Sequence, residues 1–229
     1  MKNPLVVGYK GEIGSFILQG LLKFMPKANN IWCFDVNETE REKKDRIKKS
    51  DVIFLCVPLH LTGRYFIKYE KHLKGKIIVE QTSLKCSLFD HKFSSYLVKN
   101  FKIFSMHILF RPSATNPEDR KIAVIDNKWP DDILKFINSL CDNKVRNFQD
   151  NEHHDWEMAL QQALIHRAII ALDNCILYGD TFMAKKVKEL AKRIRSGDHE
   201  LYQTIQSNPH AEAVFKSFNE EMKSFKIDY

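Results

Sequence analysis

Cysteine is scarce in this chain, and what there is does not cluster. The five residues Cys33, Cys56, Cys86, Cys141 and Cys175 form no C-x-x-C pair, which argues against a zinc site and against a disulfide framework. Two of them fall in predicted buried strands, as reduced, packed thiols do. Long apolar runs are missing as well: none reaches the length of a membrane span, and the N-terminus has no signal-peptide run. A soluble, cytoplasmic protein is therefore expected, with no membrane partner. Internal repeats and low-complexity tracts are absent, and a hydrophobic content of 44% over 229 residues is that of a folded globular protein. The net charge of +7 is spread over helix faces such as 41–49 and 185–195, without interleaved aromatics. Such a surface attracts small anions rather than nucleic acid.

Glycine is also sparse, at eight residues, yet three of them stand together. Leu5 to Gly14 reads as a buried strand, a glycine turn and a helix start: Leu5-Val6-Val7-Gly8-Tyr9-Lys10-Gly11-Glu12-Ile13-Gly14. Gly11 lets the backbone approach a pyrophosphate, and Gly14 lets the helix pack close on the strand. The N–H groups around Glu12 and Ile13 then point at the phosphates. The usual G-x-G-x-x-G is altered, since the first glycine is Gly8 and Tyr9 takes its expected place. A second apolar run, 31–34, ends in Asp35, 21 residues after Gly14. An acid there accepts ribose hydroxyls and repels a 2′-phosphate, and Val36-Asn37 offers no cation to hold one. The predicted cofactor is NAD.

Further along, periodicity predicts a helix over 15–24, an exposed charged helix over 37–50, and a central parallel strand over 51–57 that Pro58 stops. Val57 and Pro58 at that strand end are assigned to the cofactor crevice. A helix over 62–73 precedes a strand over 76–80, followed by Gln81-Thr82-Ser83-Leu84-Lys85. A strand over 101–106 delivers His107, and strands at 122–125 and 145–148 flank a helix that ends at 140.

From residue 150 the pattern becomes wholly helical. The expected organisation is a parallel Rossmann domain over 1–149 and an all-helical domain over 150–229. One helix, 152–178, is apolar nearly all round between 168 and 177 and must be buried on most sides. Eighty residues make a small core, so burial against a second copy is expected.

Asp155, Gln162 and His166 are spaced by seven and four residues and share one face of an uninterrupted helix. Alone, Asp155 reads as a helix-start charge and His166 as a hydrogen-bonded core histidine. His107 beside a cofactor crevice reads equally as a structural histidine or as the base that alcohol oxidation needs. Arg193 and Arg195 either grip a carboxylate or complement a helix dipole, the latter being preferred for Arg195.

Together these residues resemble the prephenate dehydrogenases, the NAD(P)-dependent enzymes of tyrosine biosynthesis. The resemblance spans the chain. It rests on the glycine turn with Asp35, on Ser83-Leu84-Lys85 where the family has Ser-Val-Lys, and on His107 to Pro112 where it often has His-Pro-Met-Phe-Gly-Pro. It continues through 154–166 and 193–202, which lie outside the shared Rossmann scaffold. The resemblance implies that His107 bonds the ring hydroxyl of prephenate and accepts its proton, and that Ser83 orients His107 and touches the nicotinamide. It implies that Arg193 holds the ring carboxylate, and that Gln162 and His166 line the substrate pocket. Tyr202 corresponds to an aromatic that reaches the neighbouring subunit's site in a homodimer built through the C-terminal helices. The implied reaction is oxidative decarboxylation of prephenate to 4-hydroxyphenylpyruvate, with no metal.

Ile108 and Arg111 depart from the family pattern, as does Tyr9. Arrangements that share the chemistry or the fold remain open: arogenate dehydrogenase, or an inert NAD-binding or sensing homologue. Neither a chorismate mutase segment nor a regulatory domain is recognised, so a minimal, monofunctional version is expected.

Overall fold

In the computed structural model, which describes residues 1–28, 30–86, 96–97, 99–113, 119–126, 128–176, 180–196 and 199–224, the chain divides into two compact units, Met1–Asn151 and Glu152–Tyr229. The first is built on a seven-stranded sheet of order β2-β1-β3-β4-β5-β6-β7. Its strands are β1 (Pro4–Val7), β2 (Trp32–Phe34), β3 (Val52–Leu55), β4 (Ile77–Glu80), β5 (Lys102–Ile108), β6 (Ile122–Ile125) and β7 (Val145–Phe148). The first five are mutually parallel, β6 runs antiparallel to β5, and β7 is parallel to β6.

The central strands are short and apolar because both faces of the sheet are covered. Val6, Phe54 and Val79 point into one core with Ile17 and Leu21 of α1 (Glu12–Phe24) and Phe136 of α4 (Asp131–Leu140). Leu5, Val7, Ile53, Leu55 and Ile78 point into the other, with Ile47 of α2 (Glu40–Lys49) and Phe66 and Leu73 of α3 (Leu59–Leu73). Replacing a fully buried ring such as Phe54 by alanine costs about 3–5 kcal/mol. The sequence expectation of an α/β Rossmann sheet followed by a helical region describes this fold.

From β1 the chain goes to β2 on one side and afterwards to β3 on the other. This reversal opens a crevice at the carboxyl ends of β1 and β3, where ligands bind in folds of this kind.

The second unit contains α5 (Asn151–Met158), a π-helical turn (Ala159–Leu164), α6 (Ile165–Cys175), α7 (Phe182–Arg195), α8 (His199–Gln206) and α9 (Ala211–Ser224). A single helix over 152–178 was expected; instead its middle widens to π geometry. Side-chain amides take one carbonyl ahead of the wide turn and one within it. Asn208 Nδ2 donates to the Asp155 carbonyl at 2.7 Å and Gln206 Nε2 to the Ala163 carbonyl at 3.2 Å. The residue that a π turn adds rotates everything after it by roughly 100° relative to a straight helix. His166, which follows the turn, is thereby rotated from the face it was expected to share with Asp155, and Gln162 lies within the turn itself.

Among the described residues of this unit, Ala163, Ala211 and Phe215 form a buried cluster, with Leu164 and Ile205 against it. None of α6 is buried within the chain, although sequence predicted a helix enclosed on most sides, and Leu172, Phe182 and Met183 are exposed, Phe182 at 72%. Among the described residues, no helix is long and apolar enough to cross a membrane.

Candidate active site

The glycine turn between β1 and α1 is held by steric necessity. Gly8 has φ +78°, and a Cβ there would lie 2.3 Å from the Cys56 carbonyl oxygen; a Cβ on Gly14 would lie 2.1 Å from the Gly8 oxygen. Both positions admit only glycine without displacing backbone. Gly11 differs, because its added Cβ would meet nothing nearer than the Gly8 oxygen at 3.4 Å. Among the described residues, the space beside Gly11 is thus open from the protein side. Gly11 is also the N-cap of α1, and no side chain caps that helix. The first-turn amides, those of Glu12 and Ile13 among them, are where a helix of 13 residues concentrates its partial positive charge. The turn therefore fits the pyrophosphate of a dinucleotide.

Asp35, just past β2, is pinned at the same edge. Its Oδ2 accepts from the Lys10 N–H at 3.0 Å and its Oδ1 from the Val36 N–H at 2.8 Å. A carboxylate oxygen with one such bond retains a lone pair for a ribose hydroxyl. Across the crevice, Cys56 directly follows β3; desolvation pushes its thiol up to about 12, which keeps it protonated. Val57 follows, and Pro58 is the N-cap of α3.

His107 was expected just past the end of β5. It is instead the strand's penultimate residue, 8% exposed, in register with Ala123 of β6. The loop that carries Ser83 returns to β5 immediately beside it. Lys85 Nζ donates to the Met106 carbonyl at 2.7 Å and to Glu80 Oε1 at 2.7 Å, while Glu80 Oε2 accepts from the Thr82 N–H and hydroxyl at 2.8 and 2.6 Å. Ser83 thus sits in a loop whose two flanks are tied to the carboxyl ends of β4 and β5. Sequence reading gave Glu80 and Lys85 no role, although a charge ending an apolar strand and a lysine five residues later were the available signal.

In the helical unit, His166 and Tyr202 meet within one chain: their rings are stacked at 10° with centroids 6.2 Å apart. Burial pulls the His166 imidazole below its ordinary value, and its buried Nδ1 has no hydrogen-bond partner among the described residues. Gln162 lies in the π turn one helical turn before His166. Asp155 is no helix-start charge at the surface; it is fully buried, 2.8 Å from His154 Nδ1. Arg195 stands in the last turn of α7, as a dipole partner does, and it also bonds Asp173 and Asn174 at the end of α6. Arg193 lies exposed in the last turn of α7. Within the stretch 193–202, Gly197 and Asp198 lie outside the described residues.

Among the described residues no group of three or more His, Cys, Asp or Glu is placed to hold a metal. A groove of about 510 Å³ lined by Phe16, Gly20, Lys23, Arg120 and Leu140 runs along α1 from its second turn onward, away from the glycine turn.

No family model matches the chain, and no curated protein matches it. Solved structures do. The chain is similar to prephenate dehydrogenase from Aquifex aeolicus, in complex with hydroxyphenyl propionate and NAD+, at 17% identity and a TM-score of 0.72, over 98% of this chain and 89% of that one. It is similar to an imine reductase from Myxococcus stipitatus in complex with NADP+, at 13% identity and a TM-score of 0.56, over 97% and 94% of the two chains. It is also similar to a pyrroline-5-carboxylate reductase from Coxiella burnetii, at 13% identity and a TM-score of 0.53, over 97% and 92%. The chain thus has the fold of NAD(P)-binding dehydrogenases and reductases, a Rossmann-like sheet followed by helices.

Proposed function

We propose that this protein is an NAD-dependent dehydrogenase that oxidatively decarboxylates prephenate. The observation that carries the reading is the placement of His107: buried near the end of β5, on the carboxyl edge that also holds the glycine turn, and flanked by the Ser83 loop through the Lys85 bond to Met106. Similarity of fold to a prephenate dehydrogenase over nearly the whole chain supports it, as do the residues of 154–166 and 193–202.

Residues 8–14 hold the pyrophosphate, Asp35 the adenosine ribose, and Val57 and Pro58 the crevice wall. Bound NAD supplies the hydride acceptor. His107 takes the proton of the ring hydroxyl as the hydride leaves the same carbon, and Ser83 keeps the imidazole oriented. Loss of the ring carboxylate as carbon dioxide completes an aromatic ring, which makes the step strongly favoured. Arg193 holds a substrate carboxylate with charge-assisted bonds, and Gln162, His166 and Tyr202 contact the remainder. The apolar residues left open on α6 and α7 are covered by a second copy, so the working form is a homodimer.

The test is NADH formation by the purified protein with prephenate and NAD, with arogenate and with NADP in parallel. Turnover of prephenate with NAD is expected. Silence in every combination from a folded protein would overturn the reading.

A further inference from the structure

The turn from β2 into α2 holds two ion pairs beside Asp35, Glu38 with Arg46 and Glu40 with Lys43. Glu38 Oε2 accepts from the Asp35 N–H at 2.8 Å, and its Oε1 lies 3.6 Å from Arg46 Nη1. Both side chains are largely enclosed, Glu38 at 16% and Arg46 at 28% exposure. Arg46 Nη1 also donates to the Cys33 carbonyl, and Lys43 Nζ donates to the Val36 carbonyl at 3.0 Å while lying 3.8 Å from Glu40. The two cations nearest the strand end are therefore spent on backbone carbonyls and on acids of the same turn. Arg41 and Lys44, on the same helix, are exposed.

We propose that Glu38 is the residue that sets dinucleotide selectivity at this turn, holding Arg46 against β2 so that a ligand with a 2′-hydroxyl is accepted and one with a 2′-phosphate refused. The inference rests on the dinucleotide reading above and adds to it a residue that Asp35 alone does not supply. A 2′-phosphate brought to Asp35 meets that carboxylate and the negative charge of Glu38 just behind it. The group best suited to neutralise it, a guanidinium that can grip phosphate with two parallel bonds, is already engaged. Glu38 acts through Arg46 and through the Asp35 backbone, so it is a positioning residue.

Glu38→Gln isolates the charge. Its side-chain carbonyl still accepts the Asp35 N–H, so the turn keeps its shape, but the amide no longer holds the guanidinium. Binding is read by fluorescence titration with NADH and with NADPH, without turnover. The unaltered protein is expected to bind NADH more tightly. Glu38→Gln is expected to shift the ratio of the two affinities toward NADPH by about tenfold, the scale of one charge pair gained near a surface. Adding Arg46→Ala should abolish that gain, which loss of repulsion alone would not. If the unaltered protein binds NADH but the ratio in Glu38→Gln stays within about twofold, or if the double variant keeps the gain, the role given to Glu38 is wrong. Failure of the unaltered, folded protein to bind either dinucleotide would instead remove the dinucleotide reading, and this inference with it.

Discussion

The ammonium of Lys85 lies 2.7 Å from Glu80 Oε1, and both side chains are wholly shut off from solvent. A buried pair of this kind adds little net stability, but removing one partner strands the other charge without water. The Glu80 carboxylate also receives Thr82, and Lys85 also reaches the Met106 carbonyl. The pair therefore ties the Ser83 loop to the strand that bears His107.

Lys85→Met should lower unfolding stability in urea by about 3–5 kcal/mol. Adding Glu80→Gln, which removes the stranded charge while keeping an acceptor for Thr82, should recover part of that loss. Equal stability of Lys85→Met and the unaltered chain would mean that the pair is not closed in solution.

Two glycines three residues apart should respond differently to alanine. Gly14→Ala forces a Cβ to 2.1 Å from the Gly8 oxygen, so the turn must open and the melting temperature should fall by several degrees. Gly11→Ala has room within the protein, and its N-cap backbone, at φ −70° and ψ 162°, is an ordinary one for alanine. It should melt near the unaltered chain yet bind NAD about tenfold more weakly, because the methyl fills the space beside the pyrophosphate. Calorimetric titration and a thermal melt on each variant separate the two effects.

His107→Ala should lower kcat with prephenate by about 10²–10⁴, the usual worth of a positioned base, while NAD affinity is kept. Arg193→Ala should act chiefly on KM for prephenate, since a carboxylate grip made equally before and during reaction is lost from both. Steady-state kinetics on the two variants should give these opposite patterns.

Stability should depend on pH through His166. Burial holds its folded pKa below the ordinary 6.5, so as pH falls through 6.5 the unfolded chain takes up a proton that the folded chain does not. Folding free energy then declines until the pH passes the lower folded value. Urea titrations at pH 7.5, 6.5 and about 5.5 should show a decline in the unaltered chain that is shallower in His166→Asn. Parallel declines would place the pH dependence elsewhere.

The open apolar side of α6 should close against a second copy. Sedimentation velocity is expected to give a dimer, and Leu172→Asp, at a position 53% exposed in the single chain, should shift it toward monomer without loss of helicity. A monomeric unaltered protein at micromolar concentration would argue that some other surface covers this helix.

Much of the first unit was legible because its signals are local. An apolar strand with covered faces needs no distant partner to be recognised, and Gly8, Gly11 and Gly14 announce a close approach of backbone by their spacing alone. The second unit was less so. A π turn leaves no signature in helical periodicity, since what holds it open is Asn208 and Gln206, some forty to fifty residues downstream. Asp155 likewise read as a helix-start charge because nothing in its own helix reveals that the fold buries it.

By itself the sequence determined the order of strands and helices, the glycine turn at the first strand end, and the acid that follows the second. Steric limits at glycine and the alternation of apolar residues act over a few positions and survive in one dimension. Tertiary structure decided which charges meet. The pairing of Lys85 with Glu80, of Arg46 with Glu38 and of Arg195 with Asp173 depends on strand register, loop return and helix packing. At separations of 5, 8 and 22 residues, only a closed fold brings such groups within the few ångströms over which they act.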